Sequence, residues 1–283
     1  METSRSIPRW QRVSTIAIAV LTAVSSALGL LRPNHYPPEL LPQFYVQDAI
    51  VLVLAVPVLV AGLWFALRGS LRGRVVWVGT LAYMTYVWAS MGLQVPFNRF
   101  FLGYVALFVL SLFTFVGATL DLDATAVRRA VEGRISERRY AAFLLVIAAG
   151  LAVLWLAELV PATLTGDPPL LVEEQGPMAL VSHFVDLSVV VPALTVVGVW
   201  LWRRRTWGYA LAGVSLVFGG LIAPTITATT VAILLTGGQT VPVVATVFTV
   251  VPAVVAAVLA VLYLRAMPRS GRVGHQDEPG PTA

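Results

Sequence analysis

VSHFVDLSVVVPALTVVGVWLWRRR, residues 181–205, decides the fold. It is an apolar run long enough to cross a bilayer, which takes about 20 residues, and it stops at Arg203, Arg204 and Arg205. Inside it His183 and Asp186 stand one helical turn apart, although an acid at the centre of a membrane helix costs roughly 2.5–3.5 kcal/mol on insertion scales. A segment of this kind threads the chain through a membrane. What holds the two polar groups there is the first question about function.

The rest of the chain has the same character. Of its 283 residues 58% are hydrophobic and 12% charged, against about 25% charged in soluble domains, and mean hydropathy is +0.84. No cysteine is present, which removes disulfides, thiolate metal sites and cysteine nucleophiles. All 19 basic residues are arginines, so no lysine can form the Schiff base that retinal or pyridoxal chemistry needs. These arginines fall between apolar runs, and the net charge of +5 therefore reads as membrane topology, with no nucleic-acid partner implied. No phosphate-binding glycine loop, dinucleotide fingerprint or nucleophile elbow occurs, which excludes a nucleotide cofactor.

Eight segments are long and apolar enough to span: 13–31, 45–67, 75–94, 101–120, 141–164, 179–202, 208–235 and 242–264. The expected fold is an all-α polytopic transmembrane bundle in contact with lipid. Arg5, Arg9 and Arg12 precede the first span, and Arg68, Arg72 and Arg74 separate the second from the third. Arg128, Arg129, Arg134, Arg138 and Arg139 follow the fourth, Arg203–Arg205 the sixth, and Arg265, Arg269 and Arg272 the eighth. Only Arg32 and Arg99 fall on the other side, which makes both termini cytoplasmic and the protein multi-pass in the cell (inner) membrane. Trp10, Trp64, Trp77, Trp200, Trp202 and Trp207 lie beside the arginine-bearing ends, as an interfacial belt would. The loop 165–178 carries Asp167, Glu173 and Glu174 and no base, which suits the outside. A cleaved leader is the alternative for 13–31. The length of that run, and Ala19, Ala23 and Ala27 at four-residue spacing, favour a retained and closely packed span. Residues 267–283 read as a disordered cytoplasmic tail.

Residues 1–120 and 141–266 also read as two similar halves, joined by a cytoplasmic link, 121–140, with a short surface helix. Pro57 aligns with Pro192, Arg68 with Arg203 and Gly73 with Gly208, and an acid precedes each proline, Asp48 in one half and Asp186 in the other. Four spans per half would set the halves parallel, about an axis along the membrane normal. Chance likeness between apolar helices that end in arginine is the alternative.

Counting up from the arginines at about 1.5 Å per residue puts Asp48 and His183 about 30 Å high, Glu158 about 28 Å and Asp186 about 25 Å. Asp48, His183 and Asp186 sit near helix N-termini, where the dipole favours a carboxylate by typically 0.3–1 kcal/mol; that alone would account for Asp48. His183 is placed to hydrogen-bond Asp186. Glu158 lies near a helix C-terminus, where the dipole opposes it, so it calls for a proton, a cation or a basic partner such as Arg32, Arg99 or His183. Tyr83, Tyr86, Ser90 and Gln94 form a stripe on one helical face leading to Asn98 and Arg99. Gly219, Gly220 and Pro224, followed by Thr225, Thr227, Thr229 and Thr230, predict a kinked seventh span. The outer half of the bundle is polar and the inner half almost pure hydrocarbon, which implies a cavity open to the outside.

QD at 47–48, RGS at 68–70, FNRFFLGY at 97–104, LSLF at 110–113 and HFVDL at 183–187 with Pro192 carry a likeness. In these the chain resembles a widespread, uncharacterised family of prokaryotic multi-pass membrane proteins of about eight spans. The resemblance covers most of the second to sixth spans and implies a helical bundle, with no known activity or cofactor.

Three functions fit these residues. The leading one is transporter-like: Asp48, Glu158, His183 and Asp186 would bind a small solute or ion, with Tyr83, Tyr86, Gln94 and Arg99 beside them. The second is a membrane-embedded enzyme in which His183, Asp186 and Glu158, joined by Asp48 or His35, hold a divalent metal; a haem between His35 and His183 is a remote variant. The third is a non-catalytic assembly or sensor protein whose polar residues only join helices. Binding without catalysis has the greater weight, because no metal motif of known spacing occurs.

Overall fold

The computed structural model describes residues 6–32, 35–36, 41–236 and 243–268. Most of the expected tail, with Arg5, Arg269 and Arg272, lies outside the described residues. Among the described residues the chain is all-helical, with no strand. The apolar segments form α1 (Arg9–Leu31), α2 (Gln43–Leu67), α3 (Leu71–Gln94) and α4 (Phe101–Leu120). In the link lies α5 (Ala124–Val131), capped by Asp123, whose carboxylate accepts the Ala126 N–H at 2.8 Å. Then follow α6 (Glu137–Thr165), the short α7 (Leu170–Gln175), α8 (Leu180–Trp202), α9 (Thr206–Thr236) and α10 (Val243–Ala266). Six of these, α1, α2, α4, α6, α8 and α9, are long and apolar enough to cross a membrane, and α10 adds a shorter apolar stretch, Val250–Ala266. The chain is a multi-pass membrane protein.

α3 falls short of the same apolarity because it carries Thr80, Tyr83, Thr85, Tyr86, Ser90 and Gln94. Its position explains why it tolerates them. It packs against α2, α4 and α9, so protein rather than lipid covers most of it. α3 and α9 meet closely at the centre, where a Cβ on Gly79 would lie 2.6 Å from the Val217 Cβ. The core contains Trp77, Trp88, Tyr83 and Met84. Trp77 therefore leaves the expected interfacial belt: it is buried, and its indole N–H donates to the Thr15 hydroxyl at 3.2 Å. Trp10, Trp64, Trp202 and Trp207 are exposed, as a belt requires.

The arginine-bearing ends gather at one end of the bundle. Gln11 donates to the Asp121 carboxylate at 2.7 Å, and Arg74 to the Asp121 carbonyl at 3.3 Å. Arg134 reaches the carbonyl of Ala266, the last residue of α10, and Arg72 that of Met267 just beyond it. Arg128 pairs with Glu132 at 2.9 Å and also reaches Thr206.

Two stretches repeat one another in backbone detail. α2 contains a π turn at Val51–Ala55 and α8 one at Asp186–Val190, each just before its proline, Pro57 and Pro192. Proline has no N–H and its ring crowds the carbonyl four residues back, so the helix widens to five-residue bonding there. Both helices then end in the same turn. Arg68, Gly69 and Ser70 donate to the carbonyls of Trp64, Ala66 and Phe65, as Arg203, Arg204 and Arg205 do to those of Val199, Leu201 and Trp200. Gly69 and Arg204 are both left-handed there, at φ 78° and 53°. Gly73 and Gly208 each lie against the backbone of this turn, with no room for a Cβ.

Candidate functional site

Five of the residues singled out from the sequence meet where α3, α6 and α8 come together, at the end away from the arginines. Asp186 opens the π turn of α8, and its side chain is buried. Tyr86 of α3 donates to its Oδ1 at 3.1 Å, and the Trp155 indole of α6 donates to its Oδ2 at 3.0 Å. Both donors are neutral side chains and occupy one acceptor position on each carboxylate oxygen. One turn earlier, His183 is fully enclosed. Its Nε2 faces the Glu158 Oε2 at 3.2 Å, and its ring lies 4.1 Å from that of Trp155. Glu158 also accepts the Leu171 N–H of α7 at 2.7 Å. Of the partners expected for Glu158, His183 is the one it finds. Asp186, by contrast, takes its hydrogen bonds from Tyr86 and Trp155 and not from the histidine on its own helix. Gln94 joins the edge of the group, donating to Ser182 at 2.9 Å.

Asp48 belongs elsewhere. It is buried on α2 and accepts the Tyr36 hydroxyl at 2.5 Å, against Gly29 of α1, where any side chain would collide with both groups. His35 beside it meets the Tyr104 hydroxyl at 3.0 Å. Burial, and then the Arg32 charge, hold the His35 pKa below its ordinary 6.5. Burial and the neighbouring Asp48 push Tyr36 upward, so it stays a hydrogen-bond donor. Tyr83 is spent on the α3–α9 contact, 3.2 Å from the Thr225 hydroxyl, and Arg99 is exposed in the turn before α4. Among the described residues no group of three His, Asp or Glu side chains could hold a metal ion. In the suggested set His183 faces Glu158, while Asp186 is held by Tyr86 and Trp155.

A cavity of about 310 Å³ begins at Asp186. Gly150 and Leu154 of α6, Leu194 of α8, Gly219 of α9 and Ala256 of α10 contribute to its walls. Asp186, Tyr86 and Ser215 are its polar lining and the rest is apolar. Along α8 the lining runs from Leu194 up to Asp186, so the carboxylate stands at the end farther from the arginines. The cavity inferred from sequence was polar and opened outward; this one is hydrocarbon with a single acid at its head.

α9 differs from α3 at matching positions. Continuing the match between the two stretches, Trp77, Thr80, Met84 and Trp88 of α3 correspond to Ala212, Ser215, Gly219 and Ala223 of α9. On α3 the two indoles fill the space toward α1 and donate to Thr15 and Thr22, each at 3.2 Å. Of the matched α9 residues Ser215 and Gly219 line the cavity, and α6, which packs on α8, barely touches α9 or α10. The space stays open.

Sequence reasoning missed Trp155 and Tyr36. Trp155 had a signal: with Trp88, it is one of the two tryptophans away from the arginine-bearing ends. Comparison with protein-family models, curated proteins and solved structures finds no match to this chain.

Proposed function

We propose that the protein is an eight-span, transporter-like membrane protein of the cell membrane that binds a small solute or ion at its outward end through Asp186. The reading rests on one observation. A buried carboxylate held by two neutral donors heads a cavity, and Glu158 adds a second acid that faces His183 and accepts the Leu171 N–H. In hydrocarbon a carboxylate so placed is matched by a proton or a cation. Both termini are cytoplasmic by the arginine distribution, α3 and α10 complete the eight spans, and the paired π turns support two parallel four-helix halves. Helix-joining alone remains the second reading, favoured by the full hydrogen bonding of Asp186.

A thermal-shift screen of cations and small polar solutes separates the two. On the binding reading at least one raises the unfolding temperature of wild type and not of Asp186→Asn. Equal shifts in both proteins, or none in either, would leave only the joining role. Topology is tested directly because the chain has no cysteine to remove. A single cysteine at Asp167 should react with an impermeant maleimide on intact cells, and one at Ser136 only after lysis.

A further inference from the structure

We propose that the solute is an amphiphilic ammonium ion: an aliphatic chain seated in the cavity between α6 and α10, with its charged head on Asp186. This rests on the binding reading above and names its substrate class. A bare metal ion or a small hydrophilic cation would find one carboxylate and a wall of hydrocarbon, with few oxygens to replace its hydration shell. A neutral apolar molecule would leave the free acceptor positions of the Asp186 carboxylate unused. A chain with an ammonium head satisfies both ends at once. The head adds a charge-assisted hydrogen bond to a carboxylate that has about four acceptor positions and uses two. The chain buries its surface against Leu154, Leu194 and their neighbours.

Size and access agree. The volume is at the lower end of the roughly 300–1,000 Å³ typical of small-molecule pockets, enough for one short chain rather than a diacyl lipid. α6 stands off α9 and α10, and its cavity-side neighbourhood is exposed at Val146 and Val153. An amphiphile dissolved in the bilayer therefore reaches the cavity sideways between α6 and α10, without passing through water. On α3 the positions that match the cavity-lining Ser215 and Gly219 are Thr80 and Met84, both buried.

The test is calorimetric titration of n-octylammonium into the full-length protein in phosphatidylcholine nanodiscs, with empty discs subtracted. 1-Octanol and tetramethylammonium serve as the uncharged and the chainless controls. Two variants address the two ends. Asp186→Asn removes the charge. Gly150→Leu fills the cavity from a position where an added Cβ meets nothing within 4 Å, and it leaves every hydrogen bond of the site in place, so it carries the test even if Asp186→Asn unfolds. The expected result is saturable octylammonium binding, weakened about tenfold or more in each variant, weaker binding of octanol, and none of tetramethylammonium.

Tetramethylammonium binding that Asp186→Asn abolishes and Gly150→Leu spares would overturn the amphiphile and keep a small-cation site. Equal binding of octanol and octylammonium, indifferent to Asp186→Asn, would reduce the cavity to an apolar crevice. Absence of binding by all three would overturn the substrate class and count against Asp186 as a cation site. Discs containing phosphatidylethanolamine check the source of the head group. Loss of octylammonium binding there would assign the site to an amine-headed lipid and overturn the free solute.

Discussion

In residues 1–120, α1 is drawn onto the core by Trp77 and Trp88, whose indoles donate to Thr15 and Thr22. In residues 141–266 the corresponding face of α9 carries Ala212 and Ala223, and α6 is left to pack on α8 alone. The polar groups diverge in the same way. Asp48 and His183 occupy matching positions three residues ahead of their π turns, but the turn itself opens with Val51 in α2 and with Asp186 in α8. One half spends its buried acid on the Tyr36 hydroxyl under a packed wall. The other sets an acid at the mouth of a void. Shared backbone geometry thus supports two different interiors, and the difference lies in side-chain volume at a few positions.

The largest expected effect comes from making the first half resemble the second. Trp88→Ala removes a fully buried indole and its hydrogen bond, and should destabilise by about 3–5 kcal/mol. Thermal unfolding in detergent measures this, and faster hydrogen exchange along α1 would show where the loss falls. A change under about 1 kcal/mol would mean that the indole does not hold α1 in place.

α3 shows how much of this could be read in advance. Its stripe of Tyr83, Tyr86, Ser90 and Gln94 was legible from helical spacing, and Tyr83, Tyr86 and Gln94 all turn to the second half, toward Thr225, Asp186 and Ser182. The helical bundle, the arginine-bearing end and the link helix were legible for the same reason, since charge and hydropathy act locally along the chain. Which helix faces which was not. Uniformly apolar helices have no preferred rotation in sequence, so Asp48 could not be separated from the Asp186 group, nor Trp77 from a surface belt. The apolar lining of the cavity was still further from view, because it is assembled from several helices whose mutual facing no single one of them records.

Intermediate effects should follow at the shared turn. Gly69 and Arg204 adopt the same left-handed conformation, which costs a side-chain-bearing residue roughly 1–2 kcal/mol. Arg204→Gly should therefore stabilise by about 1 kcal/mol and Gly69→Ala destabilise by a similar amount. Nothing lies within 4 Å of an added Cβ at Gly69, so steric crowding does not confuse that comparison. A shift at one turn and none at the other would break the equivalence of the two turns.

The smallest effect is the pH response of the first half. His35 has its pKa below 6.5 in the folded protein, so between that value and 6.5 the unfolded chain binds a proton that the folded one refuses. Its contribution to stability is complete above about pH 6.5 and declines as pH falls toward the folded value. Unfolding temperatures of wild type and His35→Gln, measured between pH 7.5 and 5 on the order of half-unit steps, should converge as pH falls. Parallel curves would remove His35 as the source.

The contrast between the halves is tested most directly by titrating n-octylammonium into Asp48→Asn and Asp186→Asn side by side. The expected result is wild-type affinity for Asp48→Asn and a loss of about tenfold or more for Asp186→Asn. Equal losses, or a loss confined to Asp48→Asn, would contradict a binding site confined to the second half.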